Sequence, residues 1–221
     1  MKPRHELKIV INYCDYIVLR NRLKCILPFD RNSQNGAYLV QSLYFDTWRD
    51  KALREKLDGV NRREKFRIRM YNGNADFIRL EKKMKINGLC YKESDVLTKE
   101  QAQKIIEGDI LWILDEQRPL LVDLYCKMKG EGLEPKKCVE YMREAFIYES
   151  GNVRITFDRA VKSGKTDFFA EKSSRISVGD GTMLMEVKFD EYIPSFIVNL
   201  LQLKSRRTNA FSKYALSRIY D

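Results

Sequence analysis

The sequence has a single histidine and lacks the short motifs by which most enzymes bind nucleotides. His5 cannot by itself form a metal site of several histidines, and no other histidine is available as a general base. The phosphate-binding loop G-x-x-x-x-G-K-[ST], the dinucleotide motif G-x-G-x-x-G and the nucleophile motif G-x-S-x-G are all absent. Any reaction on phosphate groups must therefore depend on lysines, arginines and carboxylates.

Cysteines are few, and long apolar runs are missing. The cysteines are odd in number, show no C-x-x-C pair, and lie at Cys14, Cys25, Cys90, Cys126 and Cys138. Because no signal peptide is evident, we expect buried or free thiols in a reducing cytoplasm, and a cytoplasmic protein. No apolar run approaches the ~20 residues that a membrane-spanning helix needs, so no membrane span is expected.

Positive charge is in excess. Lysines and arginines number 41 against 31 aspartates and glutamates, which gives a net charge of +10 over 221 residues. This excess favours a polyanionic partner such as nucleic acid, an anionic membrane, a nucleotide or polyphosphate, although a solvated basic surface would give the same composition. Hydrophobic residues make up 44%, and no repeat or linker divides the chain, so we expect one domain over residues 1–221.

Basic and apolar residues alternate between Asn61 and Lys92. Residues 63–70 and 78–86 have a period of two, which predicts strands with one charged and one largely apolar face. Asn87-Gly88 predicts a two-residue hairpin turn between the second strand and a third strand that carries Lys92. The charged faces hold Arg63, Lys65, Arg67 and Arg69 on the first strand and Arg79, Glu81, Lys83 and Lys85 on the second.

Similar strands are predicted near both ends of the chain, with helices between them. We expect strands at 4–12, 38–46, 138–148, 153–158 and 182–191. Capping residues and apolar spacing predict helices at 13–27, from Thr47 to about Gly59, from Thr98 to Gly108, across 109–129 with Pro119 in a first turn, at 194–203 and at 212–220. A loop is expected at 130–135, and irregular structure at 168–181.

The charged strand faces have two interpretations. They can lie in water, as in a half-exposed antiparallel sheet. Alternatively, the sheet can close into a barrel with the helices outside and the charges inside, and periodicity does not separate the two. In both arrangements, cations with isolated carboxylates suit electrostatic binding of phosphates, with a hard divalent cation held by oxygen ligands.

Short blocks in one collinear order carry a family resemblance. They are RHELK at 4–8, LYFDT at 43–47, KLDGVNRR at 56–63, KFRIR at 65–69, LEKK at 80–83, NG at 87–88, YK at 91–92, YMREAF at 141–146, VRITFD at 153–158, MEVK at 185–188 and AFSKY at 210–214. No single block is decisive, but the ordered set resembles the VTC domain. That domain is the polyphosphate polymerase branch of the triphosphate tunnel metalloenzymes, within the CYTH-like superfamily.

The resemblance implies both a fold and an activity. The implied fold is α+β: a closed antiparallel eight-stranded β-barrel, the triphosphate tunnel, with helices packed outside. The implied activity is metal-dependent phosphoryl transfer from ATP to a growing inorganic polyphosphate chain, with Mn²⁺ or Mg²⁺ as cofactor and with ATP, polyphosphate and pyrophosphate as partners. The family positions imply Arg67, Arg69, Lys83, Arg143 and Lys8 as catalytic residues. They imply Lys92, Arg154, Lys188, Ser212, Lys213 and Arg4 as substrate-binding residues, and Glu186, Glu6 and Glu81 as metal ligands.

Two positions depart from the family pattern. Arg4 stands where hydrolytic tunnel enzymes carry the first glutamate of Glu-x-Glu-x-Lys, which removes a carboxylate and favours the polymerase branch. Ala210 stands where the eukaryotic polymerase carries a basic residue, so one contact to polyphosphate is lost and short products are expected.

Other functions fit the same residues. The same tunnel could hydrolyse triphosphate or polyphosphate, or it could bind polyphosphate or nucleotide without turnover. Glu186 also has a simpler interpretation, as a charge partner of Lys188 or Arg154. A nucleic-acid binder is disfavoured, because the strand-face arginines have no interleaved aromatic residues on which bases could stack.

Overall fold

The chain folds into an antiparallel sheet that curls around a charged interior. The computed structural model describes residues 3–31, 33, 36–170, 175–179, 181–203, 208 and 211–219, so Ala210 lies outside the described residues. The strands are β1 His5–Ile11, β2 Tyr38–Thr47, β3 Arg63–Tyr71, β4 Asn74–Ile86, β5 Leu89–Leu97, β6 Leu133–Tyr148, β7 Val153–Gly164, β8 Ile176–Ser177 and β9 Met183–Phe189.

Short helices connect the strands and pack on the outside of the sheet. They are α1 Tyr13–Lys24, α2 Lys51–Leu57, α3 Lys99–Glu107, α4 Ile113–Glu116, α5 Pro119–Gly130, α6 Ser195–Leu201 and α7 Lys213–Ser217. Together with the sheet they give the α+β class that the sequence predicts.

Local sequence signals explain several element ends. The Asn12 side chain accepts a hydrogen bond from Asp15 N at 2.8 Å and caps α1, and Thr98 caps α3 in the same way. Pro119 occupies the first turn of α5, where its missing N–H costs nothing. Asn87 and Gly88 have φ angles of 50° and 82°, which confirms the predicted hairpin turn.

Other helix and strand boundaries in the structure differ from those predicted from the sequence. The short helix after β2 begins at Lys51 rather than beside Thr47, because the Asp46 carboxylate accepts hydrogen bonds from the backbone N–H groups of Ala52 and Leu53. The loop predicted at 130–135 is shorter, since α5 ends at Gly130 and β6 begins at Leu133, which pairs with Thr47. The helical stretch predicted across 109–129, restarted at Pro119, is two helices, α4 and α5, and the restart at Pro119 is confirmed.

The strand order brings the two edges of the sheet together. The order is β1-β9-β7-β6-β2-β3-β4-β5, with the short β8 paired to β7. Arg4, just before β1, and Cys90 in β5 exchange two backbone hydrogen bonds with N···O distances of 3.1 and 3.2 Å. Within the described residues, the two edges share this single bridge, so the sheet is curled into a half-barrel around its interior rather than plainly closed.

The apolar core lies between the outer face of the sheet and the helices. On β3, Phe66 and Ile68 are buried against a cluster that includes Ile105 of α3 and Leu121 of α5. A second cluster packs α1 and α6 against β7 and β9. Most apolar strand residues face outward to the helices, so the alternating charged residues face the interior. On β2 and β6, Tyr44 and Tyr141 instead belong to a third cluster with Tyr214 and line the interior.

Candidate active site

A cavity inside the curled sheet is lined mainly by basic side chains. We call it the central cavity. Its walls are formed by Glu6, Lys8, Tyr44, Lys65, Arg67, Arg69, Lys83, Tyr141, Arg143, Glu186, Lys188, Ser212 and Lys213. Of the fourteen site residues predicted from the sequence, this set includes ten, and it leaves out Lys92, Arg154, Arg4 and Glu81. The charged strand faces therefore look into the molecule and not into open water.

Two carboxylates and two lysines alternate across the β1–β9 pair. In the register of these strands, Glu6 is opposite Lys188 and Lys8 is opposite Glu186. Lys8 Nζ lies 3.6 Å from Glu6 and 3.7 Å from Glu186, and Lys188 Nζ lies 3.5 Å from each of them. From β4, Lys83 Nζ donates to Glu6 Oε2 at 2.7 Å.

Both carboxylates stay ionised in this setting. Burial works against the charge of Glu6, but Lys83, Lys8 and Lys188 outweigh it and hold its pKa well below the usual value. Burial also opposes the charge of Glu186, and Lys213, Lys8, Lys188 and Arg143 likewise lower its pKa. The positive charge of Lys188 is itself destabilised, since burial lowers the pKa of this lysine to about 8.

A buried pair on β6 and β7 fixes an arginine at the cavity wall. Arg143 donates two hydrogen bonds to Asp158, each at 2.6 Å. Lys213 Nζ lies 2.5 Å from the same carboxylate and 3.3 Å from Glu186. Charge-assisted bidentate contacts of this kind hold the guanidinium plane in one orientation.

On β4, the carboxylate of Glu81 orients arginines of the cavity as Asp158 orients Arg143. Glu81 is fully buried and accepts from Arg67 Nε at 2.7 Å, while Lys92 Nζ lies 2.5 Å from its other oxygen. Arg69 is 3.8 Å away and donates instead to Ser42 Oγ and Tyr141 Oη. With its oxygens engaged by these cations and its side chain outside the cavity wall, Glu81 is placed as a counter-ion of the arginines.

Lys65 has a different environment from the other basic residues of the cavity. Its ammonium lies 5.3 Å from the centroid of the Tyr44 ring, and no carboxylate within the described parts of the chain pairs with it. Burial lowers its pKa to about 7, and Lys8, Lys83 and Arg67 act in the same direction. Burial raises the pKa of Tyr44, but Arg67 and Lys65 outweigh this and bring it to about 7.

Helix α7 brings the C-terminal residues to the cavity. The Ser212 hydroxyl accepts from Ala215 N and caps the helix, so that the adjacent Lys213 points inward. The helix is held in place by Tyr214, whose hydroxyl donates to buried Asp46 at 2.7 Å.

Two predicted ligands lie at the margin of the cavity, each next to a carboxylate. Arg154 is 2.5 Å from Asp30 and donates to Tyr38 Oη at 2.8 Å. Arg4 Nε is 3.1 Å from Asp190. The positive charge of both side chains is therefore largely balanced within the chain.

The central cavity retains positive charge after its own pairs are counted. Eight basic side chains line it, and four carboxylates neutralise them: Glu6 and Glu186 in the wall, and Glu81 and Asp158 behind it. An enclosed excess of cations attracts a compact polyanion strongly, because the surrounding protein screens charge less than water does.

The carboxylates of the cavity suit a divalent cation that is shared with a substrate. The described residues contain no cluster of three or more histidine, cysteine or acidic side chains that could hold a metal alone. Mg²⁺ commonly takes one or two carboxylates and completes its shell with substrate phosphates and water. Glu186 and Glu6 meet that requirement, since both reach the cavity wall and their pKa values are lowered.

Sequence reasoning missed four residues of the site: Tyr44, Lys65, Tyr141 and Asp158. Lys65 and Asp158 were on charged strand faces, so alternation alone could have included them. The two tyrosines gave no such signal, because a strand tyrosine is usually part of an apolar core.

The family model described as the VTC domain matches residues 3–219 of this chain. No curated protein matches the sequence. In the described part of the chain, no helix has the length and apolar character required to cross a membrane.

Several solved structures share the fold. HpAC1 from Hippeastrum, described as a candidate adenylyl cyclase with a dominant triphosphatase activity, has a TM-score of 0.57 at 17% identity and covers 99% of this chain and 95% of its own. The PH1012 protein from Pyrococcus horikoshii OT3 has a TM-score of 0.54 at 14% identity, with 96% and 98% covered. A conserved hypothetical protein from Pyrococcus furiosus has a TM-score of 0.53 at 15% identity, with 96% and 99% covered. Identities this low indicate a common fold and nothing narrower.

Proposed function

Because the chain belongs to the VTC domain family, we propose that it transfers the γ-phosphoryl group of ATP to the end of a growing inorganic polyphosphate chain. The reaction takes place in the central cavity. The observation that carries the proposal is the convergence of eight basic side chains on one enclosed space with too few carboxylates to neutralise them. Phosphoryl transfer needs little covalent chemistry from a protein, so positioning and charge neutralisation can supply most of the catalysis.

The basic residues divide into two roles. Arg67, Arg69 and Arg143 present planar donors to phosphate oxygens, and their orientation is fixed in advance by Glu81, Ser42 and Asp158. Such preorganised donors need no rearrangement as charge develops in the transition state. The second group acts as point charges along the phosphates and consists of Lys8, Lys83, Lys188 and Lys213.

Four further residues complete the proposal, three at the margin of the cavity and one in its wall. Lys92 holds Glu81 and leaves part of its side chain exposed, so it can also meet phosphate. Arg154 and Arg4 act at the margin through the positive charge that Asp30 and Asp190 leave unbalanced. Ser212 offers its hydroxyl at the cavity wall beside Lys213.

A divalent metal, Mn²⁺ or Mg²⁺, would be held by Glu186 and Glu6 together with phosphate oxygens, and Glu81 serves as a further candidate ligand only if it leaves its arginines. When bound, the metal would neutralise charge that develops on the transferred group. The residues of the chain provide the remaining functions: they bind the triphosphate, align it with the acceptor and exclude water.

We also propose that the sheet closes into a tunnel in the working enzyme. Two contacts support closure. The paired backbone groups of Arg4 and Cys90 join the two edges of the sheet, and Lys83 on β4, the strand next to the far edge, contacts Glu6 on β1. A tunnel open at both ends allows a linear chain to leave as it grows.

Hydrolysis of triphosphate is the second candidate, favoured by the two carboxylates at the cavity wall that could orient water. Synthesis is preferred because Arg4, paired with Asp190, stands in place of a third carboxylate near β1 and leaves fewer acidic groups to orient water.

The test is incubation of the purified protein with ATP and Mn²⁺, with and without a short polyphosphate primer, followed by gel electrophoresis and an assay of free phosphate. Chain polyphosphate is the expected product. Orthophosphate alone, even with primer, would establish the hydrolase instead. Unchanged ATP that nevertheless binds would favour a binding module.

A further inference from the structure

Asp46, near the end of β2, is a fully buried carboxylate that lies outside the wall of the central cavity. Among the described residues it has no lysine or arginine as an ion-pair partner, and its oxygens accept hydrogen bonds from neutral donors instead. Hydrogen bonds to a carboxylate are roughly twice as strong as those between neutral groups, so Asp46 is fixed on the segment that begins α2. The donors are the backbone N–H groups of Thr47, Ala52 and Leu53, at 2.8, 2.8 and 3.1 Å, and the hydroxyl of Tyr214 at 2.7 Å.

Tyr214 connects this anchor to the wall of the central cavity. It is 2% exposed, and its ring packs on that of Tyr44 with centroids 5.3 Å apart. Burial and the neighbouring Asp46 raise the pKa of Tyr214, so its hydroxyl remains a donor. The preceding residue, Lys213, lines the cavity, as Tyr44 does. A tyrosine outside the cavity is thus one residue away from a cation inside it.

Helix α7 depends on such contacts for its position. It spans the 5 residues Lys213–Ser217, and a helix this short has little stability of its own. Arg218, directly after the helix, donates to the Tyr214 hydroxyl at 3.0 Å and to Asp50, beside α2, at 2.8 Å. The Tyr214 hydroxyl therefore lies at the centre of the contacts that join α7 to the end of β2 and the start of α2.

The position of α7 matters most when a phosphate is bound. In the free protein, Lys213 Nζ lies 2.5 Å from Asp158 and 3.3 Å from Glu186. A phosphate that enters the cavity competes with these carboxylates for the ammonium group. Once Lys213 turns to the phosphate, the backbone of α7 decides how far the ammonium reaches.

We propose that Tyr214, anchored by Asp46, is a positioning residue that holds Lys213 within reach of the substrate phosphates. The inference rests on the proposed function and adds the contact that places one of its cations. Tyr214 acts through Lys213 and does not itself touch the substrate, because it lies behind the cavity wall. Asp46 and Tyr214 belong to the sequence blocks LYFDT and AFSKY, but neither was among the predicted site residues.

A double-mutant cycle tests the proposal. Binding of tripolyphosphate is measured by isothermal titration calorimetry for the wild type, Tyr214→Phe, Lys213→Met and the double variant. Phenylalanine keeps the ring that packs on Tyr44 and removes only the hydroxyl. Lys213→Met should weaken binding about tenfold. Tyr214→Phe should weaken it about fivefold in the wild type and less than about 1.5-fold in Lys213→Met, because the lysine that it positions is then absent.

Tyr16→Phe is the matched control. Tyr16 is also buried, and its hydroxyl donates to the Glu144 carboxylate at 2.9 Å, away from the cavity wall. Its loss should lower the urea midpoint of unfolding by about as much as Tyr214→Phe does and leave the affinity for tripolyphosphate unchanged in both backgrounds. The control therefore separates lost stability from a misplaced lysine.

Other outcomes overturn the inference. A loss of affinity in Tyr214→Phe that persists without Lys213 would mean that the tyrosine acts through Tyr44 or through stability alone. Unchanged affinity in Tyr214→Phe, with the expected loss in Lys213→Met, would remove the inference and leave the proposed function standing. A wild-type protein that does not bind tripolyphosphate, or a Lys213→Met variant that binds it as well as the wild type, would remove both.

Discussion

The carboxylates of Glu6 and Glu186 are bridged by two ammonium groups. Lys8 lies within 3.7 Å of both, and Lys188 lies 3.5 Å from each. The four side chains form an alternating square across β1 and β9. A cation that binds here must compete with the lysines, and a bound phosphate can draw those lysines away from the carboxylates.

Replacement of one of these carboxylates separates the role of metal ligand from that of counter-ion. Glu186→Gln should abolish metal-dependent turnover, because a neutral amide is a poor ligand for a hard cation. The same change should increase affinity for tripolyphosphate without metal several-fold, since one negative charge leaves the cavity. Turnover assays with Mn²⁺ and metal-free calorimetry measure the two effects. Wild-type activity at saturating metal would show that Glu186 is only a charge partner of its lysines.

The pair of Arg143 and Asp158 should support stability as well as substrate binding. Both side chains are buried, so Asp158→Ala leaves Arg143 and Lys213 with Glu186 as their shared carboxylate and should cost about 3–5 kcal/mol of unfolding free energy. Glu131→Ala breaks the partly exposed pairs with Lys51 and Lys127 and should cost about 0.5 kcal/mol. Urea denaturation compares the two variants. Equal, small losses would mean that Asp158 does not stabilise Arg143.

The period-two pattern predicted which strand residues face the interior, and the resemblance predicted ten of the cavity residues. Neither the pattern nor the resemblance could predict which carboxylate each lysine or arginine pairs with. Arg67 and Lys65 look alike in the sequence, yet one is paired with buried Glu81 and the other has no carboxylate partner within the described residues. Partner choice depends on the registers of strands far apart in the chain, and single-sequence periodicity carries no register.

The start of β6 and the cap of α2 could not be predicted correctly from the sequence either. Pro135 indicated a loop, but it lies in β6 opposite Phe45, where the β2–β6 register shifts and a missing N–H is tolerated. Thr47 is predicted to cap α2, and its Oγ1 does accept from Lys51 N at 3.2 Å, but the buried Asp46 carboxylate accepts from both Ala52 N and Leu53 N. Tertiary position, rather than local propensity, decided both.

Affinity for tripolyphosphate should fall as the pH rises from about 7 to 9. Burial lowers the pKa of Lys65 to about 7 and that of Lys188 to about 8, so the free protein loses positive charge across this range. Deprotonation of Tyr44 near pH 7 acts in the same direction. A bound anion favours the protonated lysines, so binding takes up protons and weakens by roughly tenfold over the two pH units.

Calorimetry in buffers of different ionisation enthalpy counts those protons. Lys65→Arg should flatten the lower part of the pH profile, because an arginine keeps its charge, while Lys129→Arg at an exposed position should leave the profile unchanged. An affinity independent of pH between 7 and 9 would contradict the assigned protonation of the cavity lysines.

The identity of residue 4 should influence the product. Arg4→Glu restores a carboxylate near Glu6 and should shift products from polyphosphate towards free phosphate, because a further acidic group can orient water. The substitution also opposes Asp190, which now lies 3.1 Å from Arg4. Arg4→Glu/Asp190→Lys keeps the ion pair in reverse and controls for local repulsion. A product ratio unchanged in both variants would show that Arg4 does not select the acceptor.

The central claim is tested most directly by ³¹P NMR of the wild-type protein reacting with ATP and Mg²⁺, with ADP measured in the same sample. The account predicts resonances of internal chain phosphates that grow as ADP forms, with nearly all transferred phosphate found in chains. Lys213→Met, which removes a buried cation of the cavity, should suppress these resonances. Formation of ADP with orthophosphate as the sole other product would contradict the claim.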